Sequence, residues 1–367
     1  MLKFLHAADL HLCDHMALFT PRVAAKRRER HFAALEMLFA DALAQGAQMI
    51  LLAGDVFDTP CPDRSGVARF FGILKELPVP VVIAPGNHDY LCEGGAWLER
   101  LPENVYLFDR PTLGCFDFPT LGAAIYGYAF VSEHMKAPKL CAAKDLIPGR
   151  VSILLAHGDL LSPLSAYAPI GGGQLEVSGF SYAAMGHIHK PMSARKYGRT
   201  TAAYSGFFAG RGFDEIGAGQ ALMVQIEGED VRTTVLASAA DRFEMAELDC
   251  TGAITGEEIC ARLRHFLAER SFPEQTALRI CLVGAVGLSC VVESAALAVL
   301  GERFALFEVR DETVPIFDGA YLEKDPTLRG AFYRALLPRL TAADTETRTL
   351  AAEALRLGFA ALSGREV

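Results

Sequence analysis

The chain has 367 residues, 51% of them hydrophobic and 22% charged, an ordinary globular composition too long for one domain, so two domains and a tail are expected. The net charge of −9 is the reverse of the basic footprint of proteins that grip nucleic acid by bulk charge, and no apolar run reaches the roughly 18 residues of a membrane span. Nine scattered cysteines without a Cys-x-x-Cys pair argue against a disulfide framework or zinc ribbon. Residues 1–6 do not read as a secretory leader, so a reducing cytoplasm is the expected location.

In chain order, residues 2–7 read as a buried strand ending in the polar loop Ala8-Asp9-Leu10-His11. Phe32, Leu35, Leu38, Phe39 and Leu43 recur at helical spacing and predict a helix over 22–45. A strand at 49–53 ends in Gly54-Asp55, a helix spans about 63–76, and a strand at 79–84 ends in Pro85-Gly86-Asn87-His88-Asp89. Residues 151–156 lead into His157-Gly158-Asp159, and 182–185 into Gly186-His187-Ile188-His189. This alternation predicts parallel pairing with right-handed crossovers, and a site beyond the carboxyl ends of the strands.

Gly171-Gly172-Gly173 reads as a flexible loop, and 192–240 as strands joined by turns. Strands at 243–249, 276–284 and 304–310 with helices at 255–269 and 293–301 predict a small α/β domain. The division is 1–240, then 241–315, then a helical tail at 316–367. Leu350, Ala354, Leu357 and Ala361 are expected on one face of that tail, with Leu336, Leu337 and Leu340 upstream.

The chemistry gathers at strand ends: Asp9-x-His11, Asp55, Asn87-His88, His157 and His187-x-His189. Each alone has a commoner structural reading, as a loop cap, a turn or a core histidine. Together they hold five of the ten histidines, interleaved with oxygen donors, a mixture that suits Mn²⁺, Fe or Zn²⁺. Two such ions about 3.5–4 Å apart clamp the attacking and leaving oxygens of a phosphoryl displacement and lower the pKa of a bound water. Asp55 is the best-placed bridge, since each carboxylate oxygen can face one cation.

Asp-x-His, Gly-Asp, Gly-Asn-His-Asp, His and Gly-His-x-His, in that order, resemble the calcineurin-like metallophosphoesterase superfamily over roughly residues 1–240. The resemblance implies a two-sheet sandwich flanked by helices (α/β/β/α). It implies one metal held by Asp9, His11, Asp55 and His189, the other by Asp55, Asn87, His157 and His187, and His88 as the catalytic histidine.

Gly54-Asp55-Val56-Phe57-Asp58-Thr59-Pro60 lacks the Arg-Gly of the protein-phosphatase branch and is similar to the bacterial SbcD and YhaO nucleases. Tyr204-Ser205-Gly206 and Gly212-Phe213-Asp214-Glu215 resemble segments of the same group. Asp58 stands where eukaryotic and archaeal relatives place a histidine, which leaves it two roles: contact with substrate, or a hydrogen bond to a ligand histidine.

The resemblance implies a DNA exonuclease or endonuclease using two divalent ions, with Mn expected and Fe or Zn as alternatives. It also implies a cap domain that guides DNA and a coiled-coil ABC-type ATPase partner (SbcC/YhaN-like). Dimerisation in such nucleases uses helices near the N-terminal domain, for which 63–76 is the candidate. Two rivals stand beside it: a phosphodiesterase on small molecules, favoured by the acidic charge, and a non-catalytic scaffold for an ATPase. Arg211 and Tyr204 are the candidate substrate contacts. Lys26-Arg27-Arg28-Glu29-Arg30 reads as a solvated helix face or a DNA-backbone contact, and Cys13, Cys61 and Cys92 as small buried filler.

Overall fold

The structure is a computed structural model that describes residues 1–136, 138–273, 276–287, 290, 294–316 and 318–362. It divides into two compact units, Met1–Phe243 and Glu244–Val367.

The first unit contains β1 (Leu2–Ala7), α1 (Pro21–Ala44), β2 (Ile50–Leu52), α2 (Arg64–Lys75), β3 (Val81–Ile83), β4 (Val105–Leu107), β5 (Gly114–Phe118) and β6 (Ala123–Gly127). It continues through β7 (Val151–His157), α3 (Gly172–Ser178), β8 (Tyr182–Gly186), β9 (Met192–Tyr197), β10 (Thr200–Tyr204), β11 (Gln220–Glu227) and β12 (Asp230–Ala237). One sheet has the order β12-β11-β1-β2-β3-β4, the other β5-β6-β7-β8-β10-β9. Strands β1 to β4 are parallel neighbours, as are β6, β7, β8 and β10.

Side-chain alternation explains the layering. In β1, β2 and β7 one set of residues, Phe4, Leu51, Ile153 and Leu155, packs between the sheets with Val82 and Ala184. The alternate set on β1 and β2, Leu5, Ala7, Ile50 and Leu52, faces Leu35, Leu38 and Phe39 of α1 and Phe70 of α2. On the second sheet Leu154, Ala156 and Ala183 pack with Leu175 of α3. Strands buried on both faces read as continuous apolar runs rather than alternating ones. The result is the expected two-sheet sandwich flanked by helices.

Two local readings change. Gly172 and Gly173 open α3, with Gly171 as its cap, because Leu175 buries in the outer core and draws the segment into a helical turn. Arg27 does not belong to a solvated face. It is fully buried, its guanidinium 4.4 Å from the Phe19 ring centre, 5.3 Å from that of Phe243 and 3.6 Å from the Asp241 carboxylate. A cation tolerates burial when it is paired and covered by aromatic faces.

The second unit holds a sheet of order β13-β14-β16, from β13 (Phe243–Asp249), β14 (Ala277–Val283) and β16 (Leu306–Asp311), with α4 (Gly256–Glu269) and α5 (Ser294–Gly301). A two-stranded pair, β15 (Ala285–Gly287) and β17 (Val314–Ile316), and three helices, α6 (Gly319–Lys324), α7 (Leu328–Leu340) and α8 (Thr345–Leu362), complete it. The buried face of α8 is Ala351, Leu355 and Phe359. Leu355 and Phe359 pack with Leu322, Tyr333, Leu336, Leu337 and Leu340, whereas Leu350 is exposed. The expected face at 350, 354, 357 and 361 is thus displaced by one residue, because the bulky Phe359 takes the inward position. Among the described residues no helix is long and apolar enough to cross a membrane.

Candidate metal centre

Every donor named from the sequence in the first unit arrives at a carboxyl end of β1, β2, β3, β7 or β8. The chain turns sharply there. Asp9, His11, Asp55 and His187 all have positive φ, between 43° and 101°, a conformation that non-glycine residues adopt rarely and at a cost. The tight approach depends on small neighbours. A Cβ on Gly54 would lie 2.4 Å from the His157 ring, and one on Gly86 would lie 2.2 Å from Asp55 Oδ1.

Hydrogen bonds decide which nitrogen of each ring is free. His11 Nδ1 donates to Asp58 Oδ1 at 3.0 Å, and His189 Nδ1 donates to Glu215 Oε1. Their Nε2 atoms, left with lone pairs, face one another at 3.2 Å. His157 Nδ1 donates to the Ala53 carbonyl at 3.0 Å, so its Nε2 lone pair faces Asn87 Oδ1 at 2.8 Å and Asp55 Oδ2 at 3.5 Å. His187 Nδ1 lies 3.1 Å from the same Asn87 oxygen.

Asp55 sits between the two groups. Its Oδ1 accepts from the His88 amide at 2.8 Å, while Oδ2 is 3.7 Å from His11 Nε2 and 3.5 Å from His157 Nε2. Asp9 accepts from the His187 amide at 3.1 Å. Asp9, His11 and His189 form one potential cation-holding group, and Asp9, Asp55 and His157 another.

The electrostatics agree with a site built for cations. Burial pushes the Asp9 carboxyl up to about 6. Burial would raise Asp55 too, but His157, His11 and His88 around it hold it below the ordinary carboxylate value. Burial drives His11 well below the ordinary imidazole value and His187 down to about 4, so both rings are neutral donors. Burial also opposes charge on His189, but its bond to Glu215 and the nearby Asp9 raise it. Two buried carboxylates facing imidazole lone pairs are costly without a counter-charge, and neutral imidazole with carboxylate and amide oxygen is a donor set for divalent transition metals. The residues therefore fit two such ions.

Several residues act behind this set. Asp58 Oδ1 also accepts from Arg211 Nη1 at 2.7 Å, and its backbone carbonyl accepts from His88 Nδ1 at 3.2 Å. The Arg211 side chain is about a quarter exposed and its amide donates to Glu215 Oε2 at 2.8 Å. Asp58 thus orients His11 and anchors Arg211. Tyr204, expected at the substrate, lies behind the site: it is fully buried, and its hydroxyl donates to Gly158 O and accepts from the Leu160 amide. It braces the loop after β7, because a phenol buried in the core must spend its hydroxyl on backbone.

Sequence reasoning missed three contributors. Asp89 is buried and accepts from the amides of Gly86, Val56 and Phe57, locking the loop after β2 to that after β3; burial, reinforced by Asp55, lifts its carboxyl to about 8. Glu215 was legible only as part of a motif, not as the acid that orients His189. Tyr167 lies against His187 at 4.8 Å between ring centres and is itself stacked by His134; no pattern in the sequence announced it.

Fold and site together define a metallophosphoesterase. Residues 2–191, more than half of the chain, match the calcineurin-like phosphoesterase family, and the chain belongs to that family of metal-dependent phosphoester hydrolases. It is 29% identical over 268 residues to the metallophosphoesterase YhaO of Bacillus subtilis (strain 168), covering 69% of this chain and 64% of that protein. It is 28% identical over 248 residues to the DNA double-strand break repair protein Mre11 of Aeropyrum pernix, covering 62% and 59%. The Mre11 of Saccharolobus solfataricus is 27% identical over 201 residues, covering 52% and 50%. The matches thus span between half and just under two thirds of these relatives.

Proposed function

We propose that the chain is a two-metal phosphodiesterase acting on DNA, the nuclease subunit of an SbcCD-like or YhaO/YhaN-like assembly. The observation that carries the reading is a contrast in exposure: the donors Asp9, His11, Asp55 and His157 are buried, while the His88 side chain beside them is 40% exposed. In this reading Asp9, His11, Asp55 and His189 hold one ion, and Asp55, Asn87, His157 and His187 the other. Mn²⁺ is the expected metal, with Fe or Zn²⁺ compatible with the same donors. Bound divalent ions supply Lewis-acid charge for the phosphoryl oxygens and make water a stronger nucleophile.

The chain's own residues do the rest. The Asp58 carbonyl accepts from His88 Nδ1, which leaves Nε2 to protonate the departing sugar oxygen as a general acid. Arg211, held by Asp58 and Glu215, offers a fixed guanidinium to a non-bridging phosphate oxygen. Resemblance to relatives named for DNA double-strand break repair supports DNA over a small molecule, and two cations offset the acidic net charge locally. The second unit is read as a cap followed by a segment for an ATPase partner, a reading its exposed Tyr321, Leu328 and Leu350 support.

The test is hydrolysis of a labelled linear DNA with Mn²⁺, beside a chromogenic phosphodiester. Metal-dependent DNA cleavage is expected. Turnover of the chromogenic ester with intact DNA, in the presence of any coiled-coil ATPase supplied, would replace DNA with a small substrate.

A further inference from the structure

Two cysteines meet beside the site. Cys61 and Cys92 are free thiols with Sγ atoms 3.8 Å apart, Cys61 exposed and Cys92 half-buried. Cys61, open to solvent, does not fit the role of buried filler expected of it, and Cys92 is only half-buried. Cys61 lies three residues after Asp58, and Cys92 four after His88. They therefore belong to the two segments, following β2 and β3, that carry Asp55 and Asp58 on one side and Asn87 and His88 on the other. The segments already touch: the Ala96 amide donates to the Pro60 carbonyl at 3.0 Å, and His88 Nδ1 to the Asp58 carbonyl at 3.2 Å.

We propose that Cys61 and Cys92 are a redox modification site, at which a low-molecular-weight disulfide such as oxidised glutathione produces an intramolecular cross-link that slows turnover. Cys61, the accessible partner, attacks as thiolate one sulfur of the small disulfide, forming a mixed disulfide and expelling one small thiolate. The Cys92 thiolate then attacks Cys61 Sγ, forming the Cys61–Cys92 bond and expelling the second small thiolate. The two cysteines lose two electrons and two protons; the small disulfide takes up both and becomes two thiols. Burial and the neighbouring Cys61 thiol keep Cys92 protonated more than an ordinary thiol, so the exposed Cys61 is the first attacker, and Cys92 follows because Cys61 is already in reach.

The consequence for the site follows from length. A disulfide is about 2 Å long, so the sulfurs, now 3.8 Å apart, must approach by nearly half of that separation, which pulls on the segments bearing Asp58 and His88. A displacement of about 1 Å in a reacting group costs up to about a hundredfold in rate. A cross-link three and four residues from these two side chains is expected to lower kcat about tenfold or more.

The experiment uses the full chain with Mn²⁺, equilibrated in glutathione buffers of increasing oxidised fraction. Non-reducing peptide mass mapping reads the cross-link, and the chromogenic phosphodiester reads turnover. Expected are a Cys61–Cys92 peptide, a kcat loss of about tenfold that dithiothreitol reverses, full resistance in Cys61→Ser, and in Cys92→Ser a Cys61–glutathione mixed disulfide in place of the cross-link. The proposal is overturned if both thiols stay free in every buffer, if the cross-link forms with kcat unchanged, or if Cys61→Ser loses activity as wild type does. Because the peptide mass is read without turnover, failure of the hydrolase reading remains distinguishable from failure of the thiol pair.

Discussion

The Nε2 atoms of His11 and His189 lie 3.2 Å apart, and the other nitrogen of each ring is committed to a carboxylate, Asp58 for His11 and Glu215 for His189. Two lone pairs at this distance repel unless a shared proton or a cation sits between them. The carboxylates that fix the tautomers thus create the electrostatic demand that a metal meets.

Metal should therefore stabilise the fold. A metal that binds only the native state, present at a hundredfold over its Kd, adds about 2.7 kcal/mol. Removing metal with a chelator should lower Tm, and Mn²⁺ should restore it. Asp55→Ala should retain little of either ion by elemental analysis, since its carboxylate faces both donor groups. An Asp55→Ala protein with full metal content would refute the bridging role.

The His88 amide, rather than its ring, donates to the Asp55 carboxylate. His88→Ala should keep metal content and Tm close to wild type while kcat on either phosphodiester falls by about 10²–10⁴. Full activity in this variant would sink the acid role.

Glu215→Gln keeps shape and removes the charge that raises His189. Partners of this kind are worth about 10–100-fold in metal affinity or activity. Competition with a chelator of known affinity should register that loss, and more strongly for Glu215→Gln than for Asp58→Asn, whose Arg211 contact persists through the amide oxygen. Equal metal affinity in wild type and Glu215→Gln would contradict this account of His189.

Acid stability should depend on His6, outside the donor set. It is fully buried, facing the Tyr182 hydroxyl at 3.0 Å and the Met185 carbonyl at 3.1 Å, and burial lowers it from 6.5 to about 4. The unfolded chain takes up this proton below about 6.5 while the native state refuses it until about 4. The stability tied to the neutral ring is complete above the higher value and is lost as pH falls toward the lower one. In chelator, the urea midpoint of wild type should drop more between pH values near 7.5 and 5 than that of His6→Gln. Parallel losses would assign the acid lability elsewhere.

Much of the site was legible because its residues sit at strand ends. Asp9, His11, Asp55, Asn87, His157, His187 and His189 each follow an apolar run, and the periodicity that marks the run also marks its end. Tyr204 misled for a related reason: it closes β10 as the donors close their strands, yet its ring points into the core behind β7. Leu350 and Arg27 failed through side-chain direction too. A helix of 18 residues offers more than one apolar stripe, and only packing selects Leu355 and Phe359 over Leu350. A basic run opening a helix normally faces water, and only the rings of Phe19 and Phe243 closing over it put Arg27 inside.

By itself the sequence determined the strands that carry the donors, the donor types, and hence the family, because these depend on local periodicity and on the chemistry of each side chain. Tertiary structure decided which ring nitrogen of His11, His157 and His189 is free, that Asp58 and Glu215 hydrogen-bond the rings of His11 and His189, and that Cys61 reaches Cys92. Those outcomes rest on distances between segments far apart in the chain, where angstroms set the direction of a proton and no spacing in the sequence encodes them.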